Sequence, residues 1–256
     1  MTAFITLRHY LKRAFAKPVE IALMTLLPVG IMVLNIAINA DFMAGEDGAQ
    51  FLWNGYNLLN TGVVTNIMIM FMFMSGAYAG EYYFMDMRGV NRWRLNATPV
   101  ATANFIFGAI SGGFIFSTLT GGLILAVGYF FFDMYFGNLV VLVAVLLLSV
   151  LMSQFIGIII ATFAKSKGGI DGIMIALSFA MASMIGAFLI PIPMPDFVRN
   201  YIIPYGVAFR ATVVSRPSPM EDSFGLSYAI PYLAILVGMT VVSGTVALVM
   251  ARRQTA

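Results

Sequence analysis

Long apolar stretches alternate with short polar segments along most of this chain. A helix needs about 20 mainly apolar residues to cross the hydrocarbon core of a bilayer. Six stretches reach that length: Val19–Ile38, Leu58–Ala79, Ala101–Phe132, Leu139–Phe163, Gly168–Ile190 and Leu226–Met250. The pattern therefore predicts an all-α, polytopic integral membrane protein with six transmembrane helices.

The first 17 residues follow a different pattern. Phe4, Leu7, Leu11 and Phe15 recur at helical spacing, and basic residues stand between them. Such a pattern is typical of an amphipathic helix that lies in the plane of the membrane surface. We predict an interfacial helix over residues 1–17, with a solvated basic tail as the alternative.

The composition also indicates that most of this chain lies in a lipid bilayer. Hydrophobic residues make up 61% of the sequence and charged residues 10%, whereas a soluble domain carries about 25% charged residues. A particle of 256 residues has too little interior to bury so much apolar surface away from water. No linker or change of composition divides the chain, so we predict a single domain over residues 1–256.

Basic residues concentrate in every second connecting segment. Eleven of the 14 lie there: Arg8, Lys12, Arg13, Lys17, Arg88, Arg92, Arg94, Lys165, Lys167, Arg252 and Arg253. Cytoplasmic segments of membrane proteins are enriched in Lys and Arg. We therefore expect both termini in the cytoplasm, and we expect the protein in the inner (plasma) membrane of a bacterium or archaeon.

Two connecting segments are longer than simple turns. Residues 80–99 form the cytoplasmic one, and residues 191–225 form the external one. The external segment contains an apolar run over residues 197–214 that Pro204 interrupts, and this run is too short to cross the membrane twice. We predict a re-entrant helical hairpin there, before the last span. A seventh spanning helix is the alternative, but it would place the C-terminal arginines outside.

Reactive side chains are scarce in this sequence. It has no cysteine and one histidine, His9, which argues against paired-histidine metal sites and thiol chemistry. A Walker A loop requires a Gly-Lys pair followed by Ser or Thr, and no Gly-Lys pair occurs. We therefore predict no catalytic residue, no bound metal and no nucleotide site in this chain, which indicates that it is not an enzyme.

The polar residues at mid-span depth are uncharged. Such residues join helices more often than they contact ligands. Methionines are adaptable and suit a surface that accepts varied apolar molecules, although a lipid-facing stripe explains them equally well. The candidates for a substrate pathway are Asn66, Met70, Phe73, Met74 and Gln154.

The segment from Glu81 to Val100 carries the most informative motif. It runs from an acidic residue, through Arg-Gly and Arg-Leu pairs, to a Thr-Pro-Val step. The matching residues are Glu81, Arg88, Gly89, Arg94, Leu95, Thr98, Pro99 and Val100. This order resembles the signature stretch of the ABC type-2 (ABC-2) transporter permease family, whose exporter subunits have six spans.

The resemblance implies that this segment forms a coupling helix that docks on a cytoplasmic ATPase. The residues it assigns to that contact are Glu81, Phe84, Arg88, Gly89, Arg92, Trp93, Arg94 and Leu95. The alternative is that the arginines only follow the charge rule for cytoplasmic loops.

The resemblance further implies two ATPase subunits that hold ATP and Mg, and a dimer with a second permease copy or a paralogue. The passenger it suggests is amphipathic: an antimicrobial peptide, drug, lipid or glycolipid. We expect membrane lipid, but no nucleic acid, as a further contact. An ATP-independent secondary transporter or channel subunit is the alternative.

Overall fold

The structure is a computed structural model that describes residues 2–16, 18–38, 52–53, 56–88, 102–185, 193–217 and 224–255. Its helices are α1 (Thr2–Phe15), α2 (Pro18–Ile38), α3 (Leu58–Met74), α4 (Ala77–Tyr83), α5 (Thr102–Phe132), α6 (Leu139–Phe163), α7 (Lys167–Met184), α8 (Pro204–Val213) and α9 (Leu226–Thr255). Short π-helical turns cover Phe84–Arg88 and Val198–Ile202. Two-residue strands β1 (Leu52–Trp53) and β2 (Tyr56–Asn57) pair antiparallel. The predicted helical class is confirmed.

Five helical segments within the described ranges are long and apolar enough to cross a membrane: Ile21–Ile38, Asn60–Arg88, Ala103–Phe132, Leu139–Phe163 and Leu226–Arg253. The protein is therefore a membrane protein. The predicted span Gly168–Ile190 corresponds to α7, but residues 186–192 lie outside the described part of the chain. A sixth crossing thus stays a prediction.

Cysteine labelling tests the predicted topology, and the cysteine-free chain gives no background. Asp196 has a side chain that is 80% exposed, and Lys165 is also exposed. We expect D196C to react in intact cells with a membrane-impermeant maleimide, and K165C to react only after permeabilisation. If D196C also needs permeabilisation, α7 does not cross and the six-span prediction is wrong.

The second predicted span, Leu58–Ala79, is not one continuous helix. Helix α3 ends at Met74, a turn at Ser75–Gly76 follows, and α4 continues from Ala77. At the break, the Ser75 hydroxyl donates to the Met72 carbonyl oxygen at 2.6 Å, and the Gly76 amide reaches the Phe73 carbonyl oxygen at 3.3 Å. A serine that bonds to the preceding turn competes with the regular helical pattern. The first residues of the predicted cytoplasmic segment 80–99 are helical up to Arg88.

Helix α6 lies at the centre of the fold and packs against α3, α4, α5, α7 and α9. The methionine-rich run of α3, residues 67–74, is buried in the core. It is therefore not a lipid-facing stripe within this chain. Helix α2, in contrast, lies at the periphery, since only 11% of the residues in its apolar segment Ile21–Ile38 are buried.

Helix α1 packs on α5 through aromatic side chains, among them Tyr10 and Phe15. Tyr10 is buried over Gly108 and Gly112, where added Cβ atoms would lie 2.6 and 2.8 Å from its side chain. Small residues four apart allow this close approach. The same spacing at Gly168 and Gly172 of α7 serves no such contact within the described residues, because an added Cβ meets nothing within 4 Å.

Candidate functional site

The break between α3 and α4 lies directly on the backbone of α6. A Cβ atom at Gly157 would lie 1.8 Å from the Gly76 carbonyl oxygen, and one at Gly76 would lie 2.0 Å from the Ser153 carbonyl oxygen. Gly80, one turn further, would meet the Gly157 carbonyl oxygen at 2.5 Å. Only glycines allow two backbones to come this close. These contacts fix α4 against α6 and position the polar side chains described next.

Gln154 connects α6 to this break. Its side-chain Nε2 lies 3.3 Å from the Ser75 carbonyl oxygen and 3.4 Å from the hydroxyl oxygens of Ser75 and Ser153. Its Oε1 is buried beside Gly113, where a Cβ would lie 2.1 Å away. Among the described residues, that oxygen has no hydrogen-bond partner. Gln154 therefore links α6 to the turn between α3 and α4.

Glu81 and Lys167 form an ion pair between α4 and the start of α7. The Glu81 Oε2 lies 2.8 Å from the Lys167 Nζ. Glu81 is only 4% exposed, whereas the lysine side chain is 40% exposed. Ser166 caps α7 by accepting a hydrogen bond from the Gly169 amide at 3.1 Å, which fixes the backbone that carries the lysine.

Asp86 ties the amphipathic helix α1 to the π-helical turn after α4. Both carboxylate oxygens accept from Arg13 Nη1, at 3.0 and 2.9 Å, and Oδ2 also accepts from the Tyr10 hydroxyl. The Arg13 guanidinium lies 4.9 Å from the centre of the Tyr82 ring. Burial, and then the adjacent carboxylate, raises the pKa of Tyr10 above its ordinary value. Tyr10 therefore stays protonated and donates.

Arg88 ends the same turn and caps α6. Its Nη1 donates to the carbonyl oxygens of Ala161, Thr162 and Ala164, at 3.1, 2.9 and 2.9 Å. The last carbonyls of a helix have no partners within the helix and carry its negative dipole end. Arg88 therefore donates hydrogen bonds to the C-terminal carbonyl oxygens of α6, and its positive charge lies at the negative end of the helix dipole.

A partly open cavity of about 220 Å³ lies between α2, the α3–α4 break and α7. Its apolar wall consists of Leu23, Met24, Met74, Ala77 and Ile175. Tyr78, Glu81 and Asp171 form the polar side. The cavity thus combines an apolar surface with two carboxylates, at the helix ends that the charge pattern predicts to be cytoplasmic.

Of the predicted coupling residues, the structure describes Glu81, Phe84 and Arg88. Glu81 points into the fold, while Arg88 joins α6 and lies 5.7 Å from the Phe84 ring. The others lie outside the described residues: Gly89, Arg92, Trp93, Arg94 and Leu95. The structure thus describes the base of the predicted coupling segment, in which two of these side chains are engaged within the chain.

The predicted pathway residues are not brought together in one place. Met74 lines the cavity. Met70 and Phe73 are core residues, and the Phe73 ring stacks on Tyr205 of α8. Asn66 accepts a hydrogen bond from the Tyr205 hydroxyl at 2.6 Å. Asn66, Phe73 and Gln154 thus contact other helices, and Met74 is the one of the five that lines the cavity.

The sequence reasoning missed the partners of the charged residues. Arg13 and Lys167 were predicted only as cytoplasmic charges and Glu81 only as a coupling residue, and no role was predicted for Asp171. Acidic residues next to basic residues at the predicted cytoplasmic ends of spans are a signal that could have indicated such pairs. Spacing along the chain contains no such signal, because the bonded residues lie as far apart as Arg13 and Asp86.

Arg216 is a further buried charge, beside the first turn of α3. Burial lowers the pKa of its guanidinium to about 10. An added Cβ at Gly62 would lie 3.3 Å from its Nη2, and one at Gly137, whose φ is +77°, would lie 2.6 Å from its Cβ. Since Gly62 and Glu81 stand near opposite ends of the segment Asn60–Arg88, this arginine does not belong to the cavity.

Among the described residues, no three His, Cys, Asp or Glu side chains lie close enough together to hold a metal ion.

The long apolar helices and their packing define a polytopic helical membrane protein. A comparison with models of known protein families finds no match, and a comparison with curated proteins finds none either. The functional conclusion therefore depends on the residues themselves.

Proposed function

We propose that this chain is the transmembrane permease subunit of an exporter of the ABC type-2 class. It moves an amphipathic molecule out of the cell across the inner (plasma) membrane and hydrolyses no ATP itself. Two separate cytoplasmic ATPase subunits bind ATP and Mg, and they drive a pair of permeases made of this chain and a second copy or a paralogue. The assignment to this family is based on the motif between Glu81 and Val100, which resembles the family's signature stretch.

The observation that carries this proposal is the set of contacts at the base of the predicted coupling segment. Asp86 bonds to α1, Arg88 bonds to the end of α6, and Glu81 pairs with the start of α7. All three stand on one short helical stretch that leads directly into residues 89–100. A displacement of that segment by an ATPase would be passed to three other helices through charged hydrogen bonds, which are stronger than neutral ones.

A charge-reversal experiment tests the docking role. The chain is co-expressed in turn with each ABC ATPase of its source organism and purified in detergent. We expect R92E/R94E to lower the amount of co-purified ATPase by about tenfold or more, because reversed charges repel an acidic rim on the partner. Arg88 is left unchanged, since its loss would expose the end of α6.

The control is R252E/R253E, which reverses two exposed arginines at the end of α9. It carries the same change of net charge, and we expect it to keep the ATPase. Both variants should elute as folded protein in size-exclusion chromatography. Full retention of the ATPase by R92E/R94E would refute the docking assignment, and a failure of every ATPase to co-purify would refute the permease proposal.

The alternative function, an ATP-independent secondary transporter, has one observation in its favour. Ion-coupled carriers use ionisable residues within the membrane region, and the cavity contains Glu81 and Asp171. Transport by the chain alone in proteoliposomes, driven by a proton or sodium gradient, would establish this alternative. We expect no such transport without the ATPase.

A further inference from the structure

We propose that Arg216 and the N-terminus of α3 form a binding site for a phosphate group at the predicted external end of the helices. The phosphate belongs either to the head group of a phospholipid or to a soluble compound in the external medium. This inference goes beyond the proposed function, because it depends on the surroundings of Arg216 and not on transport or on an ATPase.

Arg216 is a buried cation without a counter-charge among the described residues. The residue is 5% exposed, its Nη1 has no hydrogen-bond partner, and none of the described ion pairs includes it. Burial lowers the pKa of the guanidinium only to about 10, so the group stays charged at neutral pH. An isolated charge away from water has a large free-energy cost, and buried charges are therefore normally paired. The missing counter-charge has to come from a group outside the chain.

The C-terminus of α8, which lies three residues before Arg216, does not use the guanidinium group. A helix C-terminus attracts arginine side chains when its last carbonyl oxygens lack partners. Here the carbonyl oxygens of residues 210 and 212–214 accept hydrogen bonds from the amides of Val214, Arg216 and Gly225 and from the Ser215 hydroxyl. The guanidinium donors are thus not needed as a cap of α8.

Helix N-termini add to the positive potential around Arg216. An added Cβ at Gly62, near the start of α3, would lie 3.3 Å from Nη2. One at Gly137, just before the N-cap Asn138 of α6, would lie 2.6 Å from the Arg216 Cβ. The N-terminus of a helix carries a partial positive charge and is a common place for phosphate. Asn138 already accepts from the first amides of α6, so α6 contributes only its dipole.

The donor chemistry and the place in the fold both favour phosphate as the anion. A guanidinium group donates parallel hydrogen bonds to phosphate oxygens, and Nη1 has no existing hydrogen bond to lose. Leu139 and Val140, which follow Asn138, are 69% and 68% exposed. In a membrane protein, exposed apolar side chains on spanning helices face lipid. Since these two residues begin a span, the head groups of one leaflet lie at the level of this site.

Thermal unfolding of the full-length chain measures the binding. The chain is delipidated in dodecyl maltoside, which contains no phosphate, and compared with R216M. The soluble probe is sodium phosphate, with sodium chloride at equal ionic strength as its control. The lipid probe is dioleoylphosphatidylglycerol, and its control is dioleoylglycerol, which has the same acyl chains and no phosphate. The control variant is R199M, which removes an exposed arginine at the same predicted end.

Without phosphate, we expect R216M to melt about 2–4 °C above the wild type, because methionine removes an uncompensated buried charge. R199M should change the melting temperature little, since exposed ion pairs contribute little to stability. A lower melting temperature of R216M, or its failure to fold, would overturn the proposal, because the arginine would then have a partner within the chain.

With phosphate, we expect at least one of the two phosphate probes to raise the melting temperature of the wild type and of R199M by about 2–4 °C at saturation. Neither probe should stabilise R216M. Stabilisation by sodium phosphate would support a soluble ligand, and stabilisation by the phospholipid alone would support a lipid head group. If neither probe acts on the wild type, or if R216M responds equally, the proposal is wrong. No ATPase is present, so either result leaves the docking experiment intact.

Discussion

Replacement of Gly157 by valine is expected to prevent the chain from accumulating as a folded protein. The Cβ atom would lie 1.8 Å from the Gly76 carbonyl oxygen and 3.3 Å from the Gly80 amide nitrogen. Both are backbone atoms of the break and of α4, so no rotamer change can relieve the clash. Overpacking a core costs about 1–3 kcal/mol even where side chains can adjust. We expect a larger loss here, because α4 must separate from α6.

The measurement is fluorescence-detected size-exclusion chromatography of a fusion to a fluorescent protein. The matched control is G122V. Gly122 also lies within a spanning helix, but an added Cβ there meets nothing within 4 Å. We expect a near-normal monodisperse peak for G122V and aggregated or absent material for G157V. Similar peaks for both variants would show that α4 and α6 do not pack through their backbones.

The second large effect is expected from D86A. This change removes the acceptor of both Arg13 and the buried Tyr10 hydroxyl. Loss of one partner of a buried ion pair costs about 3–5 kcal/mol, because the other charge stays without compensation. Arg13 keeps partial access to solvent, with 25% of its side chain exposed, so we expect about 2–3 kcal/mol. The weakened contact is that between α1 and the π-helical turn Phe84–Arg88.

Thermal unfolding in detergent and hydrogen exchange of residues 2–16 measure this effect. The control is D196A, which removes the carboxylate of an exposed Asp–Arg pair with Arg199. Exposed pairs contribute about 1 kcal/mol at most. We expect D86A to lower the melting temperature and to increase exchange across α1, and D196A to do neither. Equal effects of the two variants would contradict the anchoring role of Asp86.

The positions of the spanning helices were largely predictable from the sequence. The predicted range Leu139–Phe163 coincides with α6, and Ala101–Phe132 and Val19–Ile38 each differ by one residue at the start from α5 and α2. The reason is that a bilayer requires each crossing segment to be apolar over its own length and to satisfy its own backbone hydrogen bonds. Each segment must meet this requirement by itself, so the sequence of that segment is enough to predict the crossing.

The break at Ser75–Gly76 was not predictable in the same way. The run from Leu58 to Ala79 is mainly apolar and has no charged residue, and its pattern indicates one helix. What interrupts it is the backbone of α6, which approaches at Gly157 and bonds to Ser75 through Gln154. Gly157 and Gln154 lie in a different span, so the hydrophobic pattern of Leu58–Ala79 does not show where they meet this run.

The sequence by itself thus determined the class of this protein: a helical membrane protein with an amphipathic N-terminal helix, and with charges placed at the ends of its spans. Only the tertiary structure decided which charges meet. Glu81 pairs with Lys167, Asp86 holds Arg13, and Asp171 shares a cavity with Glu81. Hydrophobicity acts on each segment separately, whereas an ion pair or a cavity needs atoms of distant segments within a few ångströms, and helix packing alone brings them together.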